Sequence, residues 1–235
     1  MSPMNDSFVS LNIARDELNR NLGGGLPAGS LILIEGEDGA GKSVLSQRMA
    51  YSLLENDKTV TYISTELNTK GYVEQMKSIG YDIKYKLIEG KLLFIPMFPF
   101  IGKTKLADNF FDTLLSSTKL FESDVIFLDT LSFLLVSDQI TQAKCFDVVN
   151  QLKKFTSMNK TIIFTVDPTH INKQLLTLLR AVADVYFSID IKEFAGNIVR
   201  VIRTHRFKRP ADTYITAYPS SRTKTGLAIE IASFD

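Results

Sequence analysis

The stretch at 30–43, "SLILIEGEDGAGKS", leaves a chain few ways to fold. A run of apolar residues reads as a strand buried on both faces. It runs straight into three glycines, Gly36, Gly39 and Gly41, and then into a lysine and a serine that open a helical pattern, "KSVLSQRMAYSLLEND". The spacing is G-x-x-x-x-G-K-[ST] between a strand and a helix. Glycines let backbone N–H groups turn inward and close on phosphate oxygens with no Cβ in the way. The helix that follows turns its unpaired N–H groups and positive dipole end to the same anion. Lys42 offers a compact charge to β- and γ-phosphates, and the Ser43 hydroxyl a ligand to Mg²⁺. The rival reading is a turn that only links strand to helix, and the complete motif in this context speaks against it. The residues expected around the nucleotide are Gly36, Asp38, Gly39, Ala40, Gly41, Lys42, Ser43 and Val44. Glu37 and Asp38 bring negative charge into the loop, so their carboxylates must point away from the phosphates. Arg48, six residues after Lys42, is a candidate for the adenine.

Similar apolar runs recur at 59–65 ("TVTYIST"), 91–97 ("KLLFIPM"), 123–130 ("SDVIFLDT") and 160–168 ("KTIIFTVDP"). Between some of them lie stretches of helical spacing, among them "TQAKCFDVVNQLKKFTSMN". Alternating β and α predicts a mainly parallel central sheet flanked by helices. Near residue 183 the rhythm changes: "ADVYFSIDIKEF", "NIVRVIRTHRF", "TYITAYP" and "TGLAIEI" follow closely, which predicts antiparallel strands. About 50 residues alone make a marginal core, so this region reads as an extension of the same sheet. The expected layout over 1–235 is one domain: a leader at 1–29, an αβ core at 30–182 and an antiparallel extension at 183–235.

Composition removes several classes. Net charge is +1, so no global basic field points to nucleic acid or an anionic membrane. One cysteine, Cys145, forms no internal disulfide and fits a reducing cytosol. With that cysteine and two histidines, a zinc cluster is not expected. The N-terminus lacks the basic-then-apolar order of a signal peptide. The longest apolar runs, 92–102 and 125–136, fall short of a bilayer span. Contact with a membrane is expected only through partners.

A phosphate-binding loop of this kind needs companions. A second strand should end in an acid that helps hold the metal, and "VIFLDT" supplies Asp129. The alternative is an aspartate capping a turn. Thr130 and Ser132 follow it as candidate ligands of water or phosphate, or as turn hydroxyls. Hydrolysis needs a group to orient the attacking water. Glu66 stands just past the strand "YIST", where ligands of open α/β sheets lie, although a solvated loop carboxylate fits as well. Thr165 and Asp167 end another strand and give a weak signal for sensing a γ-phosphate. The cations Arg203, Arg206, Lys208 and Arg209, with His205, crowd "RVIRTHRFKRP". They could reach a nucleotide on a neighbouring subunit, guard a charged edge strand, or touch nucleic acid, for which Phe207 is the sole interleaved aromatic. His170 reads as a loop or cap residue, and "FIPMFPF" as packing that could expose aromatics to a partner.

These features together resemble the RecA superfamily, and "DELNRNLGGGLPAGSLILIEGEDGAGKS" (16–43) its KaiC-like branch. "STELNTKGYVEQMKSIGYDI" (64–83) and "GKLLFIPMF" (90–98) are similar to the FlaH family of archaeal flagellar (archaellum) accessory proteins. The resemblance covers nearly the whole chain as a single RecA-like copy. It implies ATP and Mg²⁺ as ligands, slow hydrolysis or none, and a nucleotide that switches assembly. It implies the archaellum motor ATPase and membrane-platform proteins as partners, a ring of like subunits, and a cytoplasmic place at the membrane. Carried over by residue, Gly36, Gly41, Lys42 and Ser43 match the loop, Asp129 the metal-holding acid, and Glu66 the water-activating glutamate. KaiC-like enzymes commonly carry two adjacent glutamates there, whereas Leu67 follows Glu66 in this chain. That departure points away from rapid turnover. Steady KaiC-like hydrolysis and a recombinase-like DNA-dependent ATPase are the competing readings.

Overall fold

The computed structural model describes residues 7–14, 16–97, 110–137, 141–194, 197–223 and 226–229. The leader forms a short antiparallel ribbon, β1 (Phe8–Val9) with β2 (Leu26–Pro27), around helix α1 (Leu18–Asn21). The core then alternates. Strand β3 (Leu31–Glu35) leads to α2 (Lys42–Glu55), β4 (Val60–Ser64) to α3 (Thr69–Ser78) and α4 (Lys84–Ile88), and then comes β5 (Leu92–Pro96). Helix α5 (Phe110–Ser116) and a 3₁₀ turn (Thr118–Phe121) precede β6 (Val125–Asp129). Next are α6 (Leu131–Ser137), α7 (Gln142–Ser157), β7 (Thr161–Val166) and α8 (Lys173–Val182). The chain closes with β8 (Val185–Phe194), β9 (Asn197–Phe207), β10 (Ala217–Thr223) and β11 (Gly226–Ile229).

The main sheet has nine strands in the order β11-β10-β9-β8-β3-β7-β6-β4-β5. Pairings from β8 across to β5 are all parallel. Those from β8 outward to β11 are antiparallel. The changeover therefore falls one strand later than the sequence rhythm indicates: β8 pairs parallel with β3 on one edge and antiparallel with β9 on the other. Strand β9 is paired on both sides from Arg200 to Arg203, so Arg203 does not stand on an edge.

The core strands are mostly apolar because both faces are covered, with polar exceptions at Glu35, Ser64, Asp129 and Thr165 towards their carboxyl ends. One layer packs Ile32, Ile34, Tyr62, Phe127 and Ile163 against α2 and α3, and the other packs Leu31, Leu33, Ile126, Leu128 and Phe164 against α6, α7 and α8. Three helices start on side-chain caps that satisfy an orphan N–H. Asn68 accepts from Gly71, Thr141 from Lys144 and Asn172 from Leu175. At the other end of α8, Arg206 donates to the carbonyls of Arg180, Ala181 and Ala183, where helix carbonyls lack partners.

The segment "TYITAYP" becomes strand only from Ala217. Before that its backbone is drawn to the leader: the Ile215 N–H donates to the Asn21 carbonyl. Gly23 lies so close to this segment that a Cβ would stand 2.6 Å from the Asp212 carbonyl, at a backbone φ of 69°. The "FIPMFPF" stretch lies outside the described residues from 98 onward. Among the described residues no helix is long and apolar enough to cross a membrane.

Candidate functional site

The crossover from β3 through α2 to β4 passes over β7 and β6, which lie between them in the sheet. The carboxyl ends of these four strands consequently surround one crevice, the place where open α/β sheets bind ligands. The 36–43 loop leaves β3 there. Gly39 and Gly41 hold φ of 71° and 101°, the left-handed region that favours glycine. Gly41 caps α2 without a side-chain hydrogen bond, which leaves the first N–H groups of a 14-residue helix to an anion. A cleft of about 270 Å³ opens over the loop from Asp38 to Leu45, walled by Glu66, Ile189, Arg200, Ile202 and Ser220. Gly36 and Ala40 pack beneath the loop, where a Cβ on Gly36 would lie 3.0 Å from that of Ala40. The Asp38 carboxylate folds back to accept the Gly39 N–H at 2.9 Å, so its charge is partly spent on the loop itself.

Lys42 is almost fully buried. Its Nζ donates to the Glu37 carbonyl at 2.9 Å and faces Asp167 Oδ2 at 3.5 Å. Asp167 follows β7 and is equally buried. Burial by itself would raise its carboxyl, but Thr169, through its hydroxyl at 2.7 Å and its N–H at 2.9 Å, outweighs that. With Lys42 and His170 nearby, the group is held below the usual carboxylate range. His170 itself is half exposed and 4.0 Å from Asp167, a loop residue as its position indicates.

Asp129 ends β6 below the loop. Its Oδ1 accepts from Ser43 Oγ at 3.2 Å and Thr165 Oγ1 at 2.7 Å, and its Oδ2 from the Tyr62 hydroxyl at 2.6 Å. Ser43 and Asp129 thus converge as hard oxygen donors, the kind Mg²⁺ takes alongside phosphate and water. Tyr62 is sealed among Tyr72, Phe94 and Phe127, and burial next to Asp129 pushes its phenol well above the ordinary value, so it stays a donor. The bend after β4 is tied to the same acid. The Thr65 N–H donates to the Asp129 carbonyl at 2.8 Å, and Ser64 Oγ accepts from the Leu67 N–H at 3.1 Å. This sets Glu66 at the rim of the cleft, where Thr130 donates to its Oε1 at 3.3 Å. Burial first, then the Asp129 charge, raise the Glu66 carboxyl above its usual value.

The fold thus brings Gly36, Asp38, Gly39, Ala40, Gly41, Lys42, Ser43, Val44, Glu66 and Asp129 to one place. Arg48 does not join them. It points to the far side of α2, fully buried, donating through Nε to Asp16 at 2.8 Å, through Nη2 to the same carboxylate and through Nη1 to the Leu11 carbonyl at 2.8 Å. A helix residue six positions on from Lys42 lies well around and along the helix from it, and here it anchors the leader. Three of the cations at 203–209 are also engaged within the chain: Arg203 with Asp190 at 2.8 Å, Lys208 with Asp184 at 3.1 Å, and Arg206 on the end of α8.

Sequence reasoning missed Tyr62 and Arg200 and undervalued Thr165. A tyrosine in the middle of a buried strand was a usable signal, since a buried phenol needs a hydrogen-bond partner. Thr165 braces Asp129 from the neighbouring strand. Arg200 stood inside the quoted cationic stretch but apart from its dense end, and no periodicity marks it as facing the cleft.

A mainly parallel sheet with a phosphate-binding loop at one strand end and a buried acid on the second strand along defines a RecA-like P-loop protein. The model of the KaiC ATPase family matches residues 13–229. The archaeal flagellar ATP-binding protein FlaH of Methanocaldococcus jannaschii is 36% identical over 96% of this chain and 97% of its own, and that of Methanococcus voltae 34% over 96% and 98%. The crystal structure of the M. jannaschii flagellar accessory protein FlaH superposes with a TM-score of 0.91 at 35% identity, covering 96% of this chain and all of that one. A KaiC-like protein of Pyrococcus horikoshii shares the fold, with a TM-score of 0.76 at 16% identity over 95% of this chain and 99% of its own. The chain belongs to the KaiC ATPase family and, within it, to the FlaH group of archaeal flagellar ATP-binding proteins.

Proposed function

We propose that this chain is an ATP-binding component of the archaellum motor complex, in which Mg-ATP acts as a switch for assembly. The observation that carries this is the cleft in which the 36–43 loop, Lys42, the Ser43–Asp129 pair and Glu66 meet. Backbone N–H groups of the loop and α2 would bind the phosphates, with Lys42 as their point charge. Ser43 and Asp129 would hold Mg²⁺, which supplies charge neutralisation of the phosphates when bound. In this reading Lys42 leaves part of its contact with Asp167 for the nucleotide, and the 167–172 loop that leads into α8 registers the change. A ligand shifts an equilibrium only by its differential contacts in two states, and this exchange of partners is such a difference. The names of the relatives support an archaellum setting. The partners proposed are the motor ATPase and the membrane-platform proteins, with like subunits in a ring, at the cytoplasmic face of the membrane.

Calorimetry with Mg²⁺ and ATP tests the reading. The parent chain should bind ATP, and Lys42→Ala should lose binding by about 100-fold or more, since charge-assisted contacts to two phosphates go with it. Equal binding by Lys42→Ala would remove the loop from the site.

One observation favours a second reading, steady hydrolysis: Glu66 stands at the rim of the cleft, held by Thr130, with its carboxyl raised by burial and by the Asp129 charge, as suits a group that accepts a proton from water. Phosphate release of about 1 s⁻¹ or faster, the ordinary enzyme range, would establish it over the switch. A recombinase-like role would require salt-dependent DNA binding.

A further inference from the structure

We infer that Arg200 is a nucleotide-binding residue that acts within its own subunit, as a second cation on the polyphosphate. The inference rests on the reading of the cleft as an ATP site. Arg200 sits in β9, paired with Ile191 on one side and Ser220 on the other, so its backbone is fixed by the sheet. Its side chain runs across the open face of Gly41, where a Cβ would meet the Arg200 Cδ at 3.4 Å. The guanidinium then reaches the apex of the loop. Nη2 lies 3.1 Å and Nε 3.4 Å from the Gly39 carbonyl oxygen.

Two features separate this arginine from its neighbours. Arg203 and Lys208 each hold a carboxylate, and Arg206 holds three carbonyls of α8. Arg200 has no carboxylate partner among the described residues, only one neutral acceptor that it can leave at little cost. The cleft also needs a second cation. Asp38 and Glu66 line it, with Asp129 and Asp167 just beneath. Against these stand Lys42, already shared with Asp167, and Arg200. A polyphosphate entering a site so rich in carboxylates gains most from a planar, permanently charged donor fork, which matches phosphate in two parallel hydrogen bonds. The carbonyl of Gly39 keeps that fork beside the loop until a phosphate takes it.

Calorimetric titration with Mg-ATP and Mg-ADP decides the matter. Arg200→Gln should weaken both nucleotides by about 10-fold or more, and Arg200→Lys should recover part of the loss. The gap between parent and Arg200→Gln should narrow at about 1 M salt, where charges are screened over a few ångströms. A residue that merely braced the loop would show no such salt effect. Thermal midpoints without nucleotide should stay within about 2 °C of the parent. Parent-like affinity in Arg200→Gln, with Lys42→Ala unable to bind, overturns the role of Arg200 and leaves the nucleotide site standing. Failure of the parent to bind ATP overturns both. If Arg200→Gln lowers the midpoint, phenylglyoxal labelling of the parent decides instead. ATP should protect Arg200 from the reagent, and full labelling at saturating ATP sinks the inference.

Discussion

Asp129 is the residue on which most of the site converges. Three hydroxyls, from Ser43, Tyr62 and Thr165, donate to its carboxylate, and the bend that carries Glu66 hangs from its carbonyl. Such a set fixes the position of the carboxylate beside Ser43. Glu66 is the complementary case, a carboxylate whose charged form its surroundings disfavour. Glu66→Gln keeps the shape and removes the ionisable carboxyl. ATP binding should stay within about threefold of the parent while any residual phosphate release disappears, and unchanged release would move the role to another residue. Asp167 gives a pH signature. Its carboxyl is lower in the folded chain than in the unfolded one, so the native state binds fewer protons there. The stabilisation is present above about pH 4, the ordinary carboxylate value, and is lost as pH falls through the lowered one. In denaturation series from about pH 6 to about pH 2, the parent's advantage over Asp167→Asn should shrink steadily. A constant difference would contradict the assignment.

At the scale of elements, α2 does two jobs on opposite faces. Its N-terminus meets the cleft through Gly41, and its flank buries Arg48 against Asp16 of the leader. Both partners of that pair are fully out of solvent, so removing one strands a charge. Arg48→Met should cost about 3–5 kcal/mol in urea unfolding, while the folded fraction binds ATP as the parent does. A large loss of affinity in the folded variant would return Arg48 to the nucleotide. The strands divide similarly. The core strands β3, β4, β6 and β7 present the loop, Glu66, Asp129 and Asp167 at or just past their carboxyl ends, whereas β9 contributes Arg200 and Ile202 to the wall of the cleft.

For the whole molecule, the nine-stranded sheet is asymmetric. Its parallel part holds the phosphate loop and the acids, and its antiparallel part lays a wall along the cleft. A nucleotide in that cleft would touch both parts and couple them. Copurification with the archaellum motor ATPase should therefore increase in Mg-ATP and fall to the nucleotide-free level in Lys42→Ala. Equal recovery with and without Mg-ATP would remove the switch.

The sequence alone determined the loop, its flanking strand and helix, and the five core strands. The reason is local: a buried two-sided strand must be continuously apolar, and a phosphate loop needs glycines at fixed offsets. Asp129 and Glu66 were legible because each stands at the end of such a strand. What the sequence left undecided depends on which strands become neighbours. Tyr62, in the middle of β4, meets Asp129 because β4 and β6 pair. Thr165 meets it because β7 lies on the other side of β6. Arg200 reaches the loop because β8 pairs parallel with β3 and carries β9 alongside. Arg48 turned from the nucleotide to the leader for the same kind of reason: helical phase set its direction, and only packing supplied Asp16 as its partner.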